Sequence, residues 1–129
     1  MTNKFKLIVF DFDDTLLLHN AFPRYRKEYE KTLTVNIQQL FEMGKILVIA
    51  SNSIMPETLR TTLEELNILH LFTKLLIGRN KESMLKELMK DFSVAPQEVV
   101  FIDDQMHNID IGRRLGIKSI NVSRIQGIM

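Results

Sequence analysis

The residues of this chain that could do chemistry gather in two short acidic stretches. The first lies in "LIVFDFDDTLLL" (residues 7–18), where Asp11, Asp13 and Asp14 crowd together directly after an apolar, β-branched and aromatic run. The second is the pair Asp103 and Asp104 in "FIDDQMHN". Carboxylates are groups of nucleophilic and acid–base chemistry. Crowded ones also repel, by roughly 4 kcal/mol for a pair at 4 Å and intermediate dielectric, and an ionised Asp among apolar residues is costly in itself. The first stretch therefore calls for positive charge that it does not contain. Between the two acidic stretches stand Ser51 and Asn52, after "ILVIA", and Lys81, shortly after "KLLIG".

The elements that must position these residues can be read from the hydrophobic pattern. Residues 5–11 read as a first strand, and an irregular polar stretch is expected to about residue 32. Helical spacing then brings Leu33, Ile37, Leu40 and Phe41 onto one face, with Gly44 placed to end the helix. "KILVIA" has the continuous apolar character of a strand buried on both sides. Pro56 suits the first position of a helix whose inward stripe is Leu59, Leu63 and Leu66. "KLLIG" reads as a third strand, and Asn80 as the cap of a helix with Leu85, Leu88, Met89 and Phe92 on its face. Pro96 ends that region. "EVVFID" is a fourth strand, 106–115 a helix stopped near Gly116, and "KSINV" a fifth strand.

Strands alternating with helices of these lengths predict an α/β fold: one five-stranded parallel sheet with helices on both faces, a three-layer Rossmann-like sandwich. In such sheets ligands gather beyond the carboxyl ends of the strands, where the strand order reverses. Every chemistry-bearing residue has that address. Asp11 ends the first strand, Ser51 and Asn52 follow the second, Lys81 follows the third, and Asp103 with Asp104 ends the fourth. A chain of 129 residues is the usual size of one domain, so residues 1–129 are expected to form a single one.

In this order the motifs resemble those of the haloacid dehalogenase superfamily of phosphotransferases. "DFDDT" resembles its Asp-x-Asp-x-Thr motif through Asp11, Asp13 and Thr15, followed by Ser51, Lys81 and the acidic "DDQMHN". The resemblance implies a nucleophilic Asp11 that forms an aspartyl-phosphate, and an Asp13 that protonates the leaving oxygen and then activates water. It implies Mg²⁺ held by the Asp11 carboxylate, the Asp13 main-chain carbonyl and the Asp104 carboxylate, with Asp103 acting directly or through water. That hard cation would supply the missing charge. Ser51, Asn52 and Lys81 would bind phosphoryl oxygens, while Thr15 and Asn108 would fix the loops and carboxylates around them.

One helix and one strand fill most of the chain between Thr15 and Ser51, which leaves no room there for the cap domain of many relatives. The resemblance is thus to the capless branch, including the small magnesium-dependent phosphatases. An open site of that kind implies a phosphorylated substrate, either a macromolecule such as a protein or nucleic acid end, or a small phosphate ester.

Other readings of the same residues stand beside this one. Ser51 is open to being a helix cap, with Asn52 and Ser53 as rivals. Lys81 fits a solvated first turn, and Lys74 or Lys86 could take its place. Asn108 suits a polar helix face. His19, His70 and His107 show no ligand spacing and read as surface or packing residues, and Met84, Met89 and Met106 as core fillers. "HNAFPRYRKEYEK" (residues 19–31) interleaves basic and aromatic residues, which suits binding an acidic macromolecule or stacking on a base, but the stronger reading is a short helix with a solvated face, with Arg26 and Glu30, and Tyr25 and Tyr29, four apart. The rival function is a phosphoacceptor module like the receiver domains of two-component systems, also a five-stranded α/β fold with an acidic Mg²⁺ site. Receivers carry their lysine after the fifth strand, whereas here it precedes the late acid pair.

Composition narrows the partners. Lys and Arg number 17 against 16 Asp and Glu, a net charge of +1, so no overall field directs the chain to nucleic acid or a membrane. Cysteine is absent, which rules out disulfides and thiolate chemistry and suits a reducing compartment. No apolar run approaches the ~20 residues of a membrane span, and a cytoplasmic protein is expected.

Overall fold

A computed structural model describes residues 4–19, 21–52 and 55–129. Five parallel strands, β1 (Leu7–Phe10), β2 (Ile46–Ser51), β3 (Phe72–Ile77), β4 (Val99–Asp103) and β5 (Lys118–Asn121), form one sheet in the order β3-β2-β1-β4-β5. Four helices connect them: α1 (Pro23–Glu42), α2 (Pro56–Glu65), α3 (Lys81–Asp91) and α4 (Met106–Arg114). This is the expected α/β Rossmann-like fold, and among the described residues no cap domain interrupts it. No described helix is long and apolar enough to cross a membrane.

Strand residues divide strictly between the two faces. Ile8, Phe10, Leu47, Ile49, Val100 and Ile102 pack under α1, α2 and the C-terminal 3₁₀ segment Val122–Ile128. Leu7, Val9, Val48, Ala50, Val99 and Phe101 pack under α3 and α4. Strands buried on both sides carry apolar residues at successive positions, which is why "LIVF", "LVIA" and "VVFI" lack the polar alternation of half-exposed strands. The central β1 is bracketed by β2 and β4, with Phe10 level with Ile49 and Ile102.

Helix α4 lies so close to the sheet that only glycine fits at position 112. A Cβ there would stand 2.0 Å from Ser119 Oγ and 3.2 Å from the Phe101 ring. That close seating sets the turn that carries Asp103 and Asp104 from β4 into α4.

Three expectations are corrected. The stretch before residue 32 is not irregular, because α1 begins at Pro23 and its first half is the basic aromatic segment. None of the residues 21–32 is fully buried, and Tyr29 packs half-buried against the core, so this half shows little apolar periodicity. Phe41, assigned to the inward stripe, is 44% exposed, and the buried face of α1 is Leu33, Asn36, Ile37 and Leu40. Met106 is exposed at the start of α4 and fills no core, unlike Met84, which is buried.

Candidate active site

The reversal of strand order falls between β1 and β4, because β2 and β3 lie on one side of β1 and β4 and β5 on the other. At the carboxyl ends of these two neighbours, Asp11, Asp103 and Asp104 come together, each with an oxygen within 4.8 Å of the others. The main chain locks the edge in place, with the Asp11 N–H donating to the Ile102 carbonyl at 2.9 Å. Asp11 and Asp103 are buried and Asp104 is half-buried.

Lys81, the first residue of α3, reaches back under the sheet edge. Its Nζ donates to Asp11 Oδ1 at 3.0 Å and to the Ala50 carbonyl at 2.8 Å. At 5% exposure it is no solvated first-turn residue, and its charge has Asp11 for a partner. The helix start is secured separately by Asn80, whose Oδ1 accepts from the Ser83 N–H at 2.9 Å as its capping pattern predicts. Lys74 and Lys86 are engaged elsewhere, with Asp91 and Glu87 and with Glu82, and do not replace Lys81.

One ammonium does not neutralise three carboxylates. Burial pushes the Asp11 carboxyl above its ordinary value despite the neighbouring Lys81. Burial and the negative charge of Asp11 push Asp103 up to about 7. Asp103 Oδ1 accepts from the N–H groups of Asp104 and Gln105, at 2.7 and 2.9 Å, while its Oδ2 is buried without a hydrogen-bond partner. A buried, orphaned carboxylate oxygen beside two further carboxylates is what a hard, oxygen-preferring cation would satisfy, and the donor set fits one.

The remaining residues occupy distinct places. Thr15 Oγ1 stands 3.3 Å from both Asp11 Oδ2 and Asp104 Oδ1, bridging the two acidic strand ends although its single proton serves one oxygen at a time. Ser51 is fully buried at the end of β2, and Asn52 beyond it is exposed. Neither caps α2, whose N-cap is Met55, and Ser53 lies outside the described residues. Asn108 sits half-buried in the first turn of α4. The Asp13 side chain stays outside the three-acid cluster and turns to His19, whose Nε2 lies 2.8 Å from Asp13 Oδ1.

Two residues here escaped the sequence reading. His19, read as a surface or packing residue with His70 and His107, is exposed as they are but engaged with Asp13. Tyr29, on α1, donates its hydroxyl to the Thr15 carbonyl. Burial, together with the charges of Tyr25, Asp104 and Asp14, raises its pKa and keeps that donor protonated. The available signals were a histidine six residues from Asp13 and a tyrosine pair at helical spacing, Tyr25 and Tyr29, whose rings stack with centroids 6.4 Å apart. Beside them Phe22 and Tyr25 are strongly exposed and line a shallow cleft of about 360 Å³ with Asp14, Leu18 and Ala21.

A family model described as haloacid dehalogenase-like hydrolase matches residues 18–122. No curated protein matches the chain. Among solved structures, the chain is similar to a predicted phosphoglycolate phosphatase from Haemophilus somnus, with TM-score 0.69 and 16% identity over 92% of this chain and 85% of that one. It is similar to the cobalt-bound deoxy-D-mannose-octulosonate 8-phosphate phosphatase of Haemophilus influenzae, with TM-score 0.66 and 16% identity over 92% and 69%. It also resembles the N-terminal part of a Bacteroides fragilis protein containing a phosphatase domain complexed with Mg, with TM-score 0.69 and 12% identity over 97% of this chain and 39% of that one.

Proposed function

The chain belongs to the haloacid dehalogenase-like hydrolases, and from that premise we propose that residues 1–129 form one catalytic core domain, a Mg²⁺-dependent phosphatase that hydrolyses a phosphate monoester through an aspartyl-phosphate. The observation that carries this reading is the meeting of Asp11, Asp103 and Asp104 around one edge with the Lys81 ammonium 3.0 Å from Asp11. A buried carboxylate held by an ammonium, with room for a cation beside it, is suited to attacking a phosphorus that must itself be approached by negative charge.

Asp11 forms the new bond to phosphorus as the ester oxygen departs. Asp13 donates a proton to that oxygen, so that a neutral alcohol leaves, and then takes a proton from the water that attacks the aspartyl-phosphate and releases Asp11. Ser51 and Lys81 form the floor that receives the phosphoryl oxygens, with Asn52 at its exposed edge. Thr15 keeps Asp11 and Asp104 in register, and Asn108 supports the turn after β4.

The Asp11 and Asp104 carboxylates and the Asp13 main-chain carbonyl would hold Mg²⁺, with Asp103 acting directly or through water. When bound, the ion supplies the charge that offsets repulsion between the acids and the incoming phosphate. The named phosphatases among the structural neighbours favour a small phosphate ester as substrate.

The receiver-like alternative is disfavoured by topology. Receivers have the flavodoxin-type order 2-1-3-4-5, whereas this sheet runs 3-2-1-4-5. The test is hydrolysis of para-nitrophenyl phosphate with Mg²⁺ and with excess chelator, beside Asp11→Asn. Turnover that needs Mg²⁺ and drops at least about 10³-fold in the variant is expected. A long-lived phosphoprotein formed from acetyl phosphate, without turnover, would overturn the reading in favour of the signalling module.

A further inference from the structure

We propose that His19 is a positioning residue for Asp13, holding that carboxylate in the orientation from which it exchanges its proton with the leaving oxygen. This rests on the phosphatase reading above and deepens it.

The geometry shows a histidine fixed from three sides. Its Nε2 stands 2.8 Å from Asp13 Oδ1. Its N–H donates to Asp14 Oδ1 at 3.0 Å, and its carbonyl accepts from Arg26 Nη2, on α1, at 3.3 Å. Asp14 is itself held in the left-handed region, at φ 57°, by a tight turn whose N–H donates to the Leu17 carbonyl at 2.6 Å. Left-handed backbone is uncommon for a residue with a side chain, though Asp tolerates it better than most. In that conformation Asp14 turns the chain back, so that a residue six positions after Asp13 comes to lie beside it.

Asp13 needs such a holder. It is 41% exposed at its side chain, lies outside the cluster of Asp11, Asp103 and Asp104, and has no basic side chain besides His19 among the described residues within ion-pair distance. An exposed carboxylate on a short side chain samples several rotamers, and proton transfer in the transition state requires one of them. With Oδ1 engaged by the imidazole, Oδ2 is the oxygen left to carry the proton. The P–O bond breaks as that proton reaches the departing oxygen. In the second half, the same oxygen receives a proton from water.

The role predicts a particular signature. Proton donation matters most for basic leaving groups and little for acidic ones, so kcat/KM should be measured over an aryl phosphate series from dinitrophenyl through para-nitrophenyl to phenyl phosphate, with Mg²⁺ present. His19→Ala is expected to lose about tenfold or more on phenyl phosphate and less than about threefold on dinitrophenyl phosphate. His19→Gln, which keeps a donor, should recover much of the loss. In an Asp13→Asn background, His19→Ala should have no further effect, because the two act as a unit. Retained circular dichroism and melting temperature would separate the effect from unfolding.

A uniform loss across the series, or an equal loss with and without Asp13, would overturn the positioning role while leaving the phosphatase reading intact. Wild-type turnover that ignores Mg²⁺ and survives Asp11→Asn would overturn the phosphatase reading, and the role of His19 with it.

Discussion

At the scale of single residues, the site is an argument about uncompensated charge. Lys81 and Asp11 are each 5% exposed, and removing one member of a buried pair leaves the other without its counter-charge. Lys81→Met should therefore lower the stability of the metal-free protein by about 3 kcal/mol and abolish turnover. Urea denaturation in chelator checks the first part, and the double variant Lys81→Met, Asp11→Asn should recover part of the loss. The convergence of these residues was legible in sequence because each follows a strand, and parallel strands deliver their ends to one edge. The partners were less legible. That Thr15 bridges to Asp104, or that Asp13 faces His19 and not the acid cluster, depends on side-chain directions in a turn closed by left-handed Asp14. Residue types and spacing do not encode those directions.

Among the elements, the strands and the helices over the core were read to within a few residues, because burial on both faces leaves continuous apolar runs and burial on one leaves a helical stripe. The first half of α1 was hidden for the converse reason. Only Tyr29 of it packs, half-buried, against the core, its N-cap Phe22 makes no side-chain cap bond, and it is tied down by the polar contacts of Arg26 and Tyr29 to the loop after β1. Its sequence reads as an irregular stretch or as a short helix with a solvated face, and the second reading is the one the structure bears out. The seating of α4 was equally invisible, since glycine at 112 shows its purpose only beside Ser119. Gly112→Ala should destabilise the protein by about 1–3 kcal/mol through overpacking. Ser119→Ala added to it removes the 2.0 Å contact but leaves the Cβ of residue 119 at 3.1 Å and the Phe101 ring at 3.2 Å, so thermal melts should show partial recovery.

For the molecule as a whole, the acidic edge links stability to pH and, on the proposed function, to metal. The Asp103 carboxyl, at about 7, lies above its ordinary value of 3.8, so the folded state keeps a proton that the unfolded chain has released. Its contribution is fully present below about 4 and is lost as pH rises through about 7. Asp11 shifts in the same direction. Metal-free protein should therefore melt at lower temperature at pH 8 than at pH 5. On the proposed function, bound Mg²⁺ would take over the role of the lost proton and should raise the melting temperature more at pH 8, with ion at a hundredfold its dissociation constant adding about 2.7 kcal/mol. Scanning calorimetry with and without Mg²⁺ checks the sign, and Asp103→Asn should flatten the pH dependence. The pairing of β1 with β4 also sets a timetable for the chain. Leu7 and Val99 are partners across that boundary, so the strand contact that unites the acids joins residues far apart in sequence and closes the costliest loop in the sheet. Any folding intermediate in which β4 is still unseated would hold Asp11, Ser51 and Lys81 but neither Asp103 nor Asp104 at its edge. Hydrolysis regained during refolding would then time the seating of β4, and helix content regained earlier would pass without any return of activity.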